Sequence, residues 1–134
     1  MGLAPSEARD GRIKIHGPEA FEGMRRAGML GAETLDFITP HVRPGITTGD
    51  LDRLCHGFIL DHDAIPAPLN YRGFPKSICT STNHVVCHGI PGDRRLMEGD
   101  EAVRILLSDE PYSVKIQGHV SQGDRAKKFW TKGR

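Results

Sequence analysis

Residues 70–100 read NYRGFPKSICTSTNHVVCHGIPGDRRLMEGD, and the fold turns on this stretch. Its first part belongs to a segment, Ile65 to Ser77, that holds three prolines and a glycine in 13 residues. Proline lacks a backbone donor and clashes with the preceding helical turn, so no helix runs through it. The segment reads as a loop carrying two aromatics, Tyr71 and Phe74. Two short β-type runs follow, Ser77–Thr80 and His84–Cys87, with turn-forming residues at Ser81–Asn83 between them. Gly89-Ile90-Pro91-Gly92 ends the second run. Glu98-Gly99-Asp100 reads as a turn that leads into another strand.

Upstream of the loop the pattern is helical. Pro18 opens a helix, a position where its fixed φ is favoured. Phe21, Met24, Gly28, Gly31, Leu35 and Ile38 recur at alternating steps of 3 and 4, which gives one apolar or small face. Gly28 and Gly31 on that face predict close packing against another element. Pro40 to Gly45 punctuates the chain. Thr47 and Asp50 then fit a capping box with Asp in place of the usual Glu. Leu51, Leu54, Cys55, Phe58 and Ile59 form the stripe of a second amphipathic helix, with Cys55 as a core residue.

Composition sets the outer limits. The chain has 134 residues, 37% hydrophobic and 26% charged, enough for one core in one domain or part of one. No apolar run approaches the roughly 18 residues of a membrane span. The first residues, MGLAPSEARD, carry no signal-peptide pattern, and residues 1–12 read as a flexible lead-in. The expected location is cytoplasmic. Cys55, Cys79 and Cys87 are odd in number and form no CxxC pair, which points to reduced thiols rather than a disulfide framework or structural zinc.

The net charge of +1 argues for neither nucleic acid nor an acidic substrate. Residues 1–100 balance at −2 and residues 101–134 at +3. The last stretch, GDRAKKFWTKGR, reads as a poorly ordered basic tail. Its Phe129 and Trp130 lie among cations, a pattern compatible with stacking on single strands, but +3 is too weak a signal for a specific nucleic-acid partner.

The motifs YRGFPKS and VVCHGIP, in that order and at that separation, resemble the N-terminal half of type I methionine aminopeptidases. IKIHGPEAFEGMRRAG and HVRPGITTGDLDRLC resemble the opening helices of the same family, so the resemblance covers residues 13–100. It implies the pita-bread α/β fold, here its N-terminal half. It also implies metal-dependent removal of the initiator methionine from nascent chains whose second residue is small. Nascent peptide N-termini would be the partners, with the ribosome nearby and no membrane. A methionine side chain wants a snug, apolar, polarizable pocket. Tyr71, Phe74 and Cys79 match the family's pocket positions. His88 matches the histidine that contacts the substrate near the scissile peptide, a role for a placed donor. His84, four residues before His88, would share its strand face but matches a non-ligand position. His16, His41, His56 and His62 are expected to be exposed.

The resemblance further implies two divalent metal ions (Co, Mn, Fe or Zn), which in such a pair sit about 3.5–4 Å apart. Counted from Gly99-Asp100, the first two aspartate ligands of the family belong at positions 105 and 116, where this chain has Ile105 and Ile116. The remaining ligands belong to a C-terminal half. Residues 101–134 match the family at no register, and Asp109, Glu110, His119 and Asp124 follow no metal-ligand spacing. No metal ligand is therefore assigned. The alternative function is a non-catalytic remnant that binds peptide N-termini.

Overall fold

A computed structural model describes residues 15–100, 104–106 and 115–116. Helix α1 spans Pro18–Ile38, with proline in its first turn and Glu19 beside it. The fixed φ and the negative charge both suit a helix N-terminus. Pro40 has no N–H to continue the ladder, and a 3-10 turn, Thr39–His41, ends the element. Helix α2 spans Thr48–Asp61 and begins with the expected capping box. The Asp50 N–H donates to Thr47 Oγ1 at 3.0 Å, and the Thr47 N–H donates to Asp50 Oδ2 at 3.2 Å. The Thr47 hydroxyl donates as well, and together these contacts hold the Asp50 carboxyl below its usual range.

The two helices meet through the stacked rings of Phe37 and Phe58, whose centroids lie 4.5 Å apart. Leu35, Ile38 and Val42 from α1 and its exit join Leu51 and Cys55 of α2, with Ile78 and Leu96, in one buried cluster. The apolar stripe of α2 faces this cluster as its periodicity predicts.

The stripe of α1 behaves differently. Leu35 and Ile38 are buried, but Phe21 and Met24 are 63% and 44% exposed. A Cβ added at Gly28 or Gly31 would meet nothing within 4 Å, so the close packing expected there does not occur among the described residues. For Phe21 and Met24, near the start of α1, the lengths of the two helices give a reason. Helix α1 has 21 residues and α2 has 14, so α1 overhangs its partner by about 10 Å at 1.5 Å per residue.

Residues 45–49 pair with residues 92–96 in a short antiparallel ladder. Gly45 N–H donates to Leu96 O and Leu96 N–H to Ile46 O, both at 2.8 Å; Thr48 N–H reaches Arg94 O at 3.0 Å and Gly49 N–H reaches Gly92 O at 2.8 Å. The Gly92 N–H donates to the Thr48 hydroxyl at 2.9 Å. The start of α2 is thereby fixed to the segment that follows Pro91.

Strand β1 spans Cys79–Ser81, β2 spans Arg104–Leu106 and β3 spans Lys115–Ile116, in the order β1-β2-β3 and antiparallel throughout. Cys79 lies opposite Leu106, Thr80 opposite Ile105, and Ile105 opposite Ile116. The turn before β2 is the expected one, with Gly99 at φ 83°. Both β2 and β3 fall in residues 101–134, the stretch expected from sequence to be an unmatched basic tail; the rest of that stretch and the lead-in lie outside the described residues. The run His84–Cys87 is not a strand. Val85 N–H closes a turn on Thr82 O at 3.1 Å, and Asn83 and His88 sit at φ 53° and 52°, so the backbone bends at both ends. Among the described residues no helix is long and apolar enough to cross a membrane.

The overhang of α1 predicts a contrast along one helix face. Ile38→Ala should cost about 2–5 kcal/mol in chemical denaturation, as for a filled core site. Phe21→Ala should stay within about 0.5 kcal/mol, as for a surface site. Equal losses at both positions would contradict this packing.

Candidate active site

Strand β1 carries Cys79, and two interactions determine where β1 begins. The buried Asp52 carboxylate of α2 accepts the Ser77 N–H at 2.8 Å and the Ile78 N–H at 3.1 Å. Those two amides are taken from any sheet ladder, which is why the strand starts at Cys79 rather than at Ser77 as the sequence pattern suggests. One turn further along α2, His56 is half-buried, and its Nδ1 lies 2.7 Å from Ser77 Oγ. Exposure was the expectation for His56, so this is a correction; His41 is also half-buried, while His16 and His62 are exposed. Asp52 and His56 are the functional-site supports that sequence reasoning missed. Their signal was a polar i, i+4 pair flanking the apolar stripe of α2.

The other edge of the site is His88-Gly89. Thr80 N–H donates to Gly89 O at 2.8 Å, and Gly89 N–H donates to Ser81 Oγ at 3.2 Å. A Cβ on Gly89 would lie 1.8 Å from Thr80 O, so only glycine fits this approach. His88, immediately before it, holds a left-handed backbone at φ 52°. A non-glycine residue there costs roughly 1–2 kcal/mol, and such strain tends to collect at functional sites.

The proline-rich segment forms the remaining wall. A 3-10 turn, Tyr71–Gly73, stands inside it, with Asn70 at φ 63°, Arg72 at φ 48° and Gly73 at φ 82°. Asn70 N–H donates to Phe74 O at 2.9 Å and closes this bend.

The result is one cavity of about 770 Å³. Tyr71, Phe74, Cys79 and His88 all line it, together with Pro68, Arg72 and Ile90. The structure thus brings together the four residues singled out in the sequence. Its chemistry is two aromatic rings, aliphatic surface and a thiol, with an imidazole and a guanidinium as the polar groups. His84 is exposed and does not line the cavity, and the shared strand face with His88 disappears with the strand itself. Cys55 stays in the core, where burial, reinforced by the Asp52 charge, pushes its thiol up to about 12, far from a nucleophile at neutral pH. Cys87 is an exposed free thiol.

Among the described residues the donor set does not fit a dinuclear metal centre. Positions 105 and 116 are isoleucines, and they lie directly opposite each other across β2 and β3. Isoleucine offers no ligand atom, whereas paired carboxylates are what such a centre requires. Among the described residues no group of three or more His, Cys, Asp and Glu side chains converges. Asp100, the buried carboxylate that precedes β2 among the described residues, is committed elsewhere. It accepts the Met97 N–H at 2.9 Å, the Asn83 amide at 3.0 Å and the Arg94 guanidinium at 3.3 Å. Its burial alone would raise its pKa, but these three donors outweigh that and hold the carboxyl below its usual 3.8.

Residues 22–120 match the sequence model of metallopeptidase family M24, so the match runs twenty residues past Asp100 into the stretch where none was expected. Over 88 residues the chain is 68% identical to a methionine aminopeptidase from Rickettsia prowazekii, covering 66% of this chain and 34% of that protein. Over 118 residues it is 50% identical to a methionine aminopeptidase from Escherichia coli strain K12, covering 87% of this chain and 42% of that protein. The crystal structure of the Rickettsia prowazekii methionine aminopeptidase superposes with a TM-score of 0.75 at 53% identity, over 87% of this chain and 48% of that one. The chain therefore spans about a third to a half of the length of these relatives. The expected fold class, the N-terminal half of the pita-bread α/β architecture, holds.

Two predictions follow from the site's supports. Asp52→Ala leaves two buried N–H groups without an acceptor and should destabilise the chain by about 3 kcal/mol, with Asp52→Asn, which keeps one acceptor oxygen, costing less. Equal stability of Asp52→Ala and the parent would show that water replaces the carboxylate. Asp100 has a folded-state pKa below its unfolded one, so its contribution is present above pH 3.8 and is lost as the pH falls through the lower folded value. Asp100→Asn should flatten the acid limb of a stability-versus-pH curve, and an unchanged limb would contradict the assignment.

Proposed function

The chain belongs to metallopeptidase family M24, and on that premise we propose that it forms the methionine-binding side of a methionine aminopeptidase active site. The parent activity in this reading is metal-dependent removal of the initiator methionine from nascent peptides with a small second residue. The observation that carries it is the convergence of Tyr71, Phe74, Cys79 and His88 on one cavity. A thioether packs well against aromatic edges, each such contact contributing about 0.3–1.5 kcal/mol. The Tyr71 and Phe74 rings supply those edges and Cys79 closes the wall. His88 is the donor placed to hydrogen-bond the carbonyl of the first peptide bond, where negative charge develops during acyl transfer. A cytoplasmic setting, with nascent chains presented at the ribosome, goes with this substrate.

The two divalent ions of such an enzyme, Co, Mn, Fe or Zn in this reading, would need carboxylates that Ile105 and Ile116 do not provide. The role we assign to the described residues is therefore recognition of the methionine end and polarisation of its carbonyl. The same two isoleucines favour a second reading, a module that binds peptide N-termini without cleaving them.

One experiment separates these readings. A Met-Gly-Met peptide is titrated into the purified chain, with binding and methionine release both followed while Mn(II) or Co(II) is varied. Tyr71→Ala should weaken binding roughly ten-fold, which corresponds to about 1.4 kcal/mol. Metal-dependent release that is lost in His88→Ala supports the aminopeptidase. Binding without release supports the module. Binding that is the same in the parent, Tyr71→Ala and His88→Ala would remove the methionine pocket from both.

A further inference from the structure

Among the described residues Arg72 is the one Lys or Arg that lines the cavity, and none of the lining residues is a carboxylate. Among the described residues Arg72 forms no ion pair. Its guanidinium carbon instead sits 5.5 Å from the centroid of the Tyr71 ring. The backbone beneath it is left-handed, at φ 48° and ψ 37°, inside the 3-10 turn that forms the cavity wall. A guanidinium held over a ring keeps its N–H donors in its own plane, pointing outward from the edges. That is the geometry that takes a carboxylate side-on with two parallel hydrogen bonds.

The rest of the lining is uncharged or, at His88, able to carry positive charge only. Among the described residues nothing in the wall would repel an anion, and nothing in it neutralises Arg72. Methionine recognition has no use for this charge, because a thioether is apolar. The charge must act on another part of whatever enters.

We propose that Arg72 makes this cavity selective for peptides that carry an acidic side chain downstream of the N-terminal methionine. The methionine occupies the Tyr71–Phe74–Cys79 wall, and the guanidinium pairs with the carboxylate of a following residue. The inference rests on the methionine-pocket reading above and adds to it the charge of the preferred peptide.

The size of the effect is bounded. Arg72 is exposed, and exposed Arg–carboxylate pairs are worth about 0.2–1 kcal/mol, at most about a five-fold change in affinity. Salt must weaken it, since the Debye length falls from about 30 Å at 0.01 M to about 3 Å at 1 M.

The test uses C-terminally amidated tetrapeptides that begin with methionine and carry alanine elsewhere, with one Asp scanned through positions two, three and four. Each is compared with its Asn counterpart by NMR titration of the full chain at about 0.01 M salt. The expected result is a two- to five-fold preference for Asp at one position or more, abolished in about 1 M salt. Arg72→Gln should erase the Asp/Asn ratio and Arg72→Lys should retain part of it. Equal affinities at all three positions, a preference that survives in Arg72→Gln, or no binding of any Asp peptide would overturn the proposal. A parallel series beginning with alanine isolates the underlying reading. If alanine-first peptides bind as well as methionine-first ones, the methionine pocket fails, whatever the Asp/Asn ratio shows.

Discussion

The carboxylate of Asp52 is the constraint on which the rest of this structure depends. It is buried on α2 and accepts the N–H groups of Ser77 and Ile78, 25 and 26 residues further along the chain. Between them lies a proline-rich loop with little regular structure of its own. A loop of that length is cheap to close, because closure entropy grows only as the logarithm of length. It nevertheless needs one strong long-range contact to choose a single closed form. Charge-assisted bonds from two adjacent amides provide it, and they are roughly twice as strong as neutral ones. Once Ser77 and Ile78 are held, Ile78 falls into the core between the helices, and Cys79 is delivered to the cavity face. His56 adds a second hold on Ser77 from the next turn of α2.

The far wall of the cavity is fixed by independent means. The ladder between residues 45–49 and 92–96 ties the segment after Pro91 to the N-terminus of α2. Gly89 then presses against the backbone of Thr80 at a distance no side chain tolerates. Helix α2 thus anchors both walls, one through Asp52 near its first turn and the other through Thr48 at its start. The left-handed residues at the cavity, Arg72 and His88, lie between such anchors rather than in free loops. Their unfavourable φ values persist because the contacts on either side over-determine them.

Much of this was legible in the sequence, for identifiable reasons. The two helices declared themselves through Pro18, the Thr47–Asp50 box and a 3.6-residue apolar period, all of which are local signals. The pocket residues were named by the motifs YRGFPKS and VVCHGIP. Three features were not legible. The His84–Cys87 run has the composition of a strand, but β propensity reflects packing against neighbours rather than an intrinsic backbone preference, and Thr80 N–H on that edge goes to Gly89 O instead. Periodicity showed that one face of α1 is apolar but not how far its partner reaches, so Phe21, Met24 and the two glycines were expected to be covered when they are not. His56 and Asp52 stand out locally only as a polar i, i+4 pair beside the stripe of α2, which does not reveal their roles, because their shared partner Ser77 is more than twenty residues away.

The cavity is built from residues 67–90, whereas the two positions that would carry the first carboxylate ligands lie in β2 and β3. An apolar side chain is bound by shape, dispersion and exclusion of water, none of which requires an ion. The wall that would hold a methionine is held by Asp52, Gly89 and the 3-10 turn at Tyr71, and β1 behind it pairs with β2 through backbone register. Isoleucine at positions 105 and 116 offers no ligand atom, whereas the hydrogen bonds of Asp52 and His56 to Ser77 and the approach of Gly89 to Thr80 are made by other residues.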